Sequence, residues 1–165
     1  MTDHRVAIRP AEGRDAEKIA EIWHLGWHDA HDGHVPSELV EIRTEASFLD
    51  RAPRRISDAT VATVDGDVAG FVMVVDDEVE QMYVSAAARG TGVADGLMQE
   101  AERQVRESGH AKAWLAVVAG NARARRFYER AGWVDEGSFD YAAAVDAASE
   151  TGTIAVPCRR YTKAL

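Results

Sequence analysis

The sequence predicts a mixed α/β domain, and three observations support that fold class. Strand-like and helical patterns alternate along the whole chain in the order β-α-α-β-β-β-α-β-α-β-β. The chain has 165 residues, of which 46% are hydrophobic, so it is long and apolar enough to bury one sizeable core. No internal repeat, low-complexity tract or linker interrupts it. We therefore expect a single domain over residues 1–165.

A strand and two helical regions make up the predicted N-terminal part. The β-rich run Val6–Ile8 precedes a helix that begins near Asp15 and continues to about Ala30. The segment His31–Pro36 is predicted to be a loop, and a second helical region follows it. The apolar residues of the two helices recur at roughly helical spacing: Ile19, Ile22, Trp23 and Leu25, then Leu39, Ile42, Phe48 and Leu49.

The rest of the chain begins with a hairpin signal. Two runs rich in β-branched residues, Thr60–Val64 and Val68–Val75, are joined by the turn sequence Asp65-Gly66-Asp67, and a third strand follows at Val79–Val84. A helix is predicted from about Ala94 to Ser108, with Gly109 as its C-cap, and a buried strand follows at Ala113–Val118. The next helix begins at Gly120-Asn121 and ends at Gly132. The last predicted element is a hairpin in which the polar stretch Asp146–Gly152 connects Phe139–Val145 with Thr153–Tyr161.

The charge balance and the single cysteine exclude several classes of protein. With 19 basic and 28 acidic side chains the net charge is −9, which argues against a nucleic-acid partner because phosphate binding needs surplus Lys and Arg. Cys158 has no other cysteine to pair with, which suits a reducing compartment. No apolar run is long enough to span a membrane, and Met1–Arg9 lacks the apolar core of a secretory signal. We expect a cytoplasmic protein.

The segment Arg89–Ala94 is the strongest candidate for a ligand site. Gly90 and Gly92 lack a Cβ, so the backbone N–H groups of this bend can turn toward one point. The helix that follows adds its unpaired N-terminal N–H groups and its positive dipole end. Together they suit a phosphate or diphosphate, to which Arg89 can add a charged contact. The alternative is a glycine-rich turn that only connects strand to helix.

Two other phosphate-binding motifs do not match this bend. A P-loop needs Gly-Lys-Ser/Thr, whereas Gly92 is followed by Val93-Ala94. The dinucleotide fingerprint needs three glycines in an early βαβ unit, whereas the glycines at 90, 92 and 96 have a different spacing and follow a run of hairpins.

A second constellation lies on the predicted helix that follows Gly120. Asn121 occupies an N-cap position, and residues 121, 124 and 128 share one face because they are spaced by three and four. Along that face the side chain changes from amide to methyl to phenol, which leaves a channel beside Ala124 and places the Tyr128 hydroxyl at its end. The alternative is a capping Asn with a Tyr at the edge of the core.

Both constellations, in this order, resemble the GNAT superfamily of acetyl-CoA-dependent N-acetyltransferases. Arg89-x-x-Gly92-x-Ala94 resembles its acetyl-CoA signature, and Asn121-x-x-Ala124-x-x-Phe127-Tyr128 with Ala131-Gly132-Trp133 resembles its second coenzyme motif. Glu80–Val84 resembles its fourth strand, so the resemblance is specific over about Glu78 to Val134. It implies a mixed, mostly antiparallel central sheet flanked by helices and splayed between strands 4 and 5, and a domain that is often a homodimer.

The resemblance also implies where the coenzyme binds. The pantetheine arm would lie between the splayed strands and pair with backbone groups of the fourth, and the bend would hold the diphosphate. The residues implied in cofactor binding are Met82, Tyr83, Val84, Arg89, Gly90, Thr91, Gly92, Val93, Ala94, Asp95, Asn121, Ala124 and Tyr128.

The implied reaction is direct attack of a neutral primary amine on the acetyl carbonyl. The amine of a small-molecule or protein acceptor must first lose a proton, since an alkylammonium has a pKa of about 10.4, and the leaving thiolate needs a proton donor. Tyr128 is the candidate acid, unless it only packs against the coenzyme. Glu78 and Glu80 lie on one face of a strand and are candidates for a base that acts through water, unless both are simply solvated.

The acceptor is expected to bind beside the first two helical regions. We predict that Trp27, His28, His31 and His34 line this pocket, and that Asp29, Asp32, Glu38 and Glu41 make it attractive to cations; a solvated acidic face is the alternative. His24 and His28 have a chelating spacing but no third ligand, so no metal is expected. The predicted function is acetyl-CoA-dependent N-acetylation. A non-catalytic acyl-CoA sensor and a nucleotide-binding module are the alternatives.

Overall fold

A computed structural model describes residues 5–145 and 152–165. Within these ranges seven strands form one sheet in the order β1-β2-β3-β4-β5-β7-β6, and α-helices cover both faces. The strands are β1 (Val6–Pro10), β2 (Ala59–Val64), β3 (Asp67–Val75), β4 (Glu78–Val84), β5 (Lys112–Val117), β6 (Val134–Ala144) and β7 (Thr153–Ala164). The helices are α1 (Ala16–His31), α2 (Ser37–Ile42), α3 (Glu45–Arg54), α4 (Val93–Glu107) and α5 (Ala122–Arg130).

The sheet separates two apolar clusters, as a strand with a side-chain period of two requires. Val61 of β2 and Phe71 of β3 pack with α1 and α3 on one face. Their neighbours Ala62 and Val72 pack with α4 on the other face. The turn between β2 and β3 has positive φ angles at Asp65 (53°) and Gly66 (90°), the geometry that a two-residue hairpin loop requires, so the predicted hairpin is confirmed.

The second helical region consists of two helices rather than one. Arg43 leaves the helical conformation with φ −84° and ψ 62°, and this ends α2. Thr44 then caps α3 by accepting a hydrogen bond from the Ser47 N–H at 3.2 Å. The break buries Arg43 to 3% exposure in the wall of the cavity described below. Thr is a typical N-cap residue, so Thr44 marks the start of α3 in the sequence. The apolar spacing alone indicated one continuous helical region.

Two of the apolar residues that recur at roughly helical spacing are exposed to solvent. Leu25 of α1 is 63% exposed and Leu49 of α3 is 45% exposed. Residue 25 follows Trp23 by two positions, about 200° around a helix, so it cannot share the face of Trp23. Trp27, four residues after Trp23, takes that place and is buried.

The predicted splay between strands 4 and 5 is confirmed. All other neighbouring strands are antiparallel, whereas β4 and β5 run parallel and pair only at Glu78 and Trp114. Beyond that point the two strands separate and leave a cleft. The terminal hairpin is longer than predicted, since β6 begins at Val134, before a register shift between Asp135 and Ser138, and β7 continues to Ala164. Most of its predicted connection, residues 146–151, lies outside the described residues.

Candidate active site

A cavity of about 960 Å³ opens where β4 and β5 diverge. At one end it is lined by the bend before α4 and by the first residues of α4. At the other it reaches α2, α3 and the end of β6. Of the thirteen residues that the sequence implied in cofactor binding, every one except Thr91 lines this cavity. The Thr91 hydroxyl instead donates to the carbonyl of Ala88 and so fixes the bend.

The bend and α4 form the anion-binding end of the cavity. Gly90 and Gly92 have φ angles of 79° and 88°, and a Cβ at either would meet no atom within 4 Å. Gly92 is the N-cap of α4 and has no side chain to cap it, so the first N–H groups of α4 remain available to a ligand. Arg89 is 48% exposed at this end, where its guanidinium lies 3.4 Å from the Asp29 carboxylate.

Asn121, Ala124 and Tyr128 line the cavity together from α5. The Asn121 side chain accepts a hydrogen bond from the Ala124 N–H at 3.3 Å, so it is also the helix N-cap. The Tyr128 ring lies 6.0 Å from that of Tyr161. Burial raises the pKa of the Tyr128 phenol to about 12, which keeps the hydroxyl protonated and able to donate near pH 7.

The two candidate bases lie in very different surroundings. Burial raises the pKa of Glu78 to about 7, with the charges of Glu80 and Asp77 acting in the same direction and a hydrogen bond from Tyr141 opposing them. The Tyr141 hydroxyl donates to Glu78 Oε2 at 2.8 Å. Glu80 accepts from Arg55 Nη1 at 2.7 Å. Both carboxylates line the cavity, Glu78 beside a phenol and Glu80 in an ion pair with Arg55.

The predicted acceptor residues divide into two pairs. Trp27 and His31 line the cavity and stack with ring centroids 4.5 Å apart. Burial lowers the pKa of His31 to about 4, so it is neutral. His28 is not part of the cavity wall, since its ring nitrogens contact Asp32 and the carbonyl of Arg43. His34 is not part of it either and packs on Gly120, where a Cβ would approach its Nδ1 to 2.2 Å.

The acceptor end of the cavity, beside α2 and α3, does not have the acidic lining that the sequence predicted. Of Asp29, Asp32, Glu38 and Glu41, only Asp29 lines the cavity. Instead three arginines from the end of α2 to just past the end of α3 line it: Arg43, Arg51 and Arg55. These arginines and Tyr141 are the site residues that the sequence analysis missed. Helical spacing does not reveal them, because the turn at Arg43 changes the direction of the chain between α2 and α3.

Residues 5–145 and 152–165 contain neither a metal-binding cluster nor a membrane-spanning helix. No group of three or more His, Cys, Asp or Glu side chains is placed to hold a metal ion there. No helix in that part of the chain combines the length and the apolar character needed to cross a membrane. Cys158 lines the cavity, and burial raises the pKa of its thiol to about 11, which disfavours a thiolate nucleophile.

Comparison with known proteins agrees with this geometry. A family model described as "Acetyltransferase (GNAT) family" matches residues 16–133. An uncharacterized N-acetyltransferase of Mycobacterium bovis is 32% identical over 112 residues, which cover 64% of this chain and 70% of the relative. The same identity and coverage are found for an uncharacterized N-acetyltransferase of Mycobacterium tuberculosis.

Solved structures share the fold over nearly the whole chain. A GCN5-related N-acetyltransferase from Rhodopseudomonas palustris has a TM-score of 0.74 and 20% identity, over 100% of this chain and 99% of that one. PaiA N-acetyltransferase from Thermoplasma acidophilum, solved in complex with coenzyme A, has a TM-score of 0.66 and 17% identity over 98% and 99% of the two chains. A putative acetyltransferase from Salmonella typhimurium, solved with acetyl-CoA, has a TM-score of 0.68 and 18% identity over 98% and 94%. With the family model matching residues 16–133, this chain belongs to the acetyltransferase (GNAT) family.

Proposed function

We propose that this protein transfers the acetyl group of acetyl-CoA to a primary amine by direct attack, without a covalent enzyme intermediate. The observation that carries the proposal is a single cavity that connects a glycine-relieved helix N-terminus with a neutral Tyr128 phenol and a Glu78 carboxylate tuned to neutral pH. Family membership supports the same activity, and two structural neighbours were solved with coenzyme A or acetyl-CoA.

The residues present fit the coenzyme. Positive φ angles at Gly90 and Gly92 leave open space at the start of α4, where a diphosphate would accept hydrogen bonds from backbone N–H groups. Met82 and Val84 lie on the part of β4 that is not paired with β5, so that strand edge is free to pair with the pantetheine amides. When bound, acetyl-CoA supplies the acetyl group as an activated thioester.

Glu78 is the proposed general base. An alkylammonium has a pKa of about 10.4, so a base with a pKa near the working pH is needed to accept its proton, directly or through water. Burial holds the pKa of Glu78 at about 7 and makes the group suited to that task. Glu80 is less suited, because Arg55 binds its carboxylate in an ion pair.

Tyr128 is the proposed general acid. The Tyr128 hydroxyl makes no hydrogen bond to any described residue. Tyr128 lines the cavity on the same side of α5 as Asn121, the N-cap of that helix. A protonated phenol there would donate to the sulfur as the carbon–sulfur bond breaks, so the departing group leaves as the thiol. We also propose that the protein is cytoplasmic and that it forms a homodimer.

The test is acetyl-CoA-dependent thiol release with a panel of amines. Wild-type protein should release thiol and form the N-acetyl product, and Tyr128→Phe should lower kcat by about 10²- to 10⁴-fold with little change in coenzyme affinity. Tyr161→Phe is the matched control, since that neighbouring phenol lies outside the cavity wall and bonds Glu129 and Arg125. Coenzyme binding without turnover on any amine would instead identify a sensor, and normal turnover by Tyr128→Phe would remove it as the acid.

A further inference from the structure

We propose that the amine acceptor carries a carboxylate, as an α-amino acid does, and that Arg51 and Arg43 bind it at the α3 end of the cavity. This inference rests on the proposed acetyl transfer and narrows its substrate class. The sequence predicted only that Asp29, Asp32, Glu38 and Glu41 make the acceptor pocket attractive to cations, and it did not select the acceptor.

The first argument is the charge balance of the cavity wall. Arg55 is neutralised, because it bonds Glu80 at 2.7 Å and Asp58 at 3.1 Å. Burial raises the pKa of Glu78 to about 7, so this carboxyl carries only part of a negative charge at neutral pH. Arg43 and Arg51 have no carboxylate partner among the described residues, so two guanidinium groups at the α3 end of the cavity wall lack a paired carboxylate.

The second argument is a cluster of unused hydrogen-bond donors. Five buried side-chain nitrogens lack a partner in the part of the chain that the structure describes, and three of them belong to these arginines: Arg43 Nε, Arg51 Nη1 and Arg55 Nη2. A buried guanidinium that lacks acceptors is costly, so native proteins normally supply them. Arg43, Arg51 and Arg55 all line the cavity, so a carboxylate bound there would bring acceptor oxygens to their guanidinium groups.

The surroundings keep Arg51 in place without neutralising it. Its guanidinium carbon lies 4.4 Å from the centroid of the Trp23 ring and 5.6 Å from that of Phe48. Burial, followed by the charges of Arg43 and Arg55, lowers the pKa of Arg51 to about 10, which still leaves it charged at pH 7. Both distances are within the range of cation–π contacts, which hold the guanidinium in place and leave its charge available to an anion.

Arg43 is fixed by the backbone of β6. It is 3% exposed, and its two terminal nitrogens donate to the carbonyls of Ala144 and Val145. Nε is the donor left over. An α-amino acid places its amine and its carboxylate on one carbon, so a carboxylate held at the arginines keeps the amine in the cavity that Glu78 and Glu80 also line.

Matched pairs of substrates test the inference. The proteinogenic amino acids and their carboxamides are assayed at one pH by acetyl-CoA-dependent thiol release. For the best pair, wild-type protein should prefer the acid roughly 10- to 100-fold in kcat/KM, the range expected for hydrogen bonds to a charged group. Arg51→Met should abolish that preference mainly by raising KM, and Arg51→Lys should retain part of it. The acid and the carboxamide of a pair differ in the pKa of their amine. The decisive quantity is therefore the change in the ratio of their kcat/KM values between wild-type protein and the Arg51 variants.

Arg54→Met is the control, since Arg54 lies on the same helix, is 57% exposed and is outside the cavity wall. It should keep the wild-type ratio, and circular dichroism and coenzyme affinity should show that Arg51→Met is folded. Equal use of acids and carboxamides by wild-type protein would overturn the inference and leave acetyl transfer standing. Preference for a phosphorylated amine such as O-phosphoethanolamine would also overturn it.

A second readout separates this inference from the proposed function. If no amine is acetylated, the proposed transfer fails, and thermal shifts of coenzyme-saturated protein then decide the carboxylate site. Amino acids that stabilise wild-type protein but not Arg51→Met, while carboxamides stabilise neither, would support the site. Equal stabilisation by acids and carboxamides, or none by either, would overturn it.

Discussion

At the scale of single residues, Glu78 and Tyr141 form the most informative pair in the cavity. Tyr141 lies on β6, 63 positions along the chain from Glu78, and donates its hydroxyl to the carboxylate at 2.8 Å. This hydrogen bond favours the ionised carboxylate, whereas burial and the charge of Glu80 favour the protonated one. The balance sets a pKa of about 7, within the range where a base is useful at neutral pH.

The Glu78 assignment predicts a particular pH profile. In wild-type protein kcat/KM for the amine should rise to about pH 7 and then level off, because ionised Glu78 takes the proton of the bound ammonium. Glu78→Gln should be slower, and its kcat/KM should keep rising toward the pKa of the amine, about 10, because only free amine can then react. Stopped-assay rates between pH 5.5 and 10 measure both curves.

Tyr141→Phe checks the sign of this interaction. Loss of the hydrogen bond removes the contribution that favours ionised Glu78, so the pKa of Glu78 should rise and the break in the profile should move to higher pH. An unchanged break in Tyr141→Phe, or a Glu78→Gln profile that levels off like the wild type, would rule out Glu78 as the base.

At the scale of elements, the start of α4 determines where an anion can bind. Gly92 has a φ of 88° and is the N-cap, so the chain turns into the helix without a Cβ or a capping side chain over the exposed N–H groups. Any other residue there must adopt a left-handed conformation, which costs about 1–2 kcal/mol and more for a β-branched side chain. The cradle therefore depends on backbone conformation, not on side-chain chemistry.

Gly92→Val should weaken coenzyme A binding at least about 10-fold, because it distorts N–H donors that face a charged group. Gly109→Val is the control: Gly109 has a φ of 92° at the opposite end of α4 and is not part of the cavity wall. Both variants should lose comparable stability in urea unfolding, whereas only Gly92→Val should lose affinity in calorimetry. Equal coenzyme affinity in the two variants would place the diphosphate elsewhere.

At the scale of the whole molecule, the parallel pair β4–β5 is the weakest link of the sheet. It is paired at Glu78 and Trp114 only, whereas β5 and β7 pair along the whole of β5. A ligand between β4 and β5 would connect the half of the domain that contains β1–β4 with the half that contains β5–β7. We therefore expect coenzyme binding to stabilise the entire fold.

Thermal unfolding measures this effect directly. Coenzyme A at about 100 times its Kd should stabilise the protein by about 2.7 kcal/mol, which raises Tm by roughly 5–10 °C for a domain of this size. ATP and NAD at the same concentration should give smaller shifts, since they lack the pantetheine arm that fits between the strands. A larger shift with either nucleotide would favour the nucleotide-binding alternative and count against the coenzyme assignment.

The sequence by itself determined the local features of this protein. The hairpin at Asp65-Gly66 and the bend at Gly90 and Gly92 depend on φ angles that glycine adopts without strain. A few adjacent residues are therefore enough to predict each of them. The face shared by Asn121, Ala124 and Tyr128 follows from helical spacing alone. The order of the strands, the bend and this helix face could therefore be predicted, whereas the division of the second helical region into α2 and α3 was missed.

Only the tertiary structure decided which distant residues meet. Tyr141 of β6 reaches Glu78 of β4 although β5 and β7 lie between these two strands in the sheet. Arg43 and Arg51 line the same cavity because the chain turns at Arg43 between α2 and α3. Neither arrangement leaves a periodic mark in the sequence, since both depend on long-range strand pairing and helix packing. The chemistry of the coenzyme end is thus encoded locally, whereas the charge of the acceptor end results from the fold.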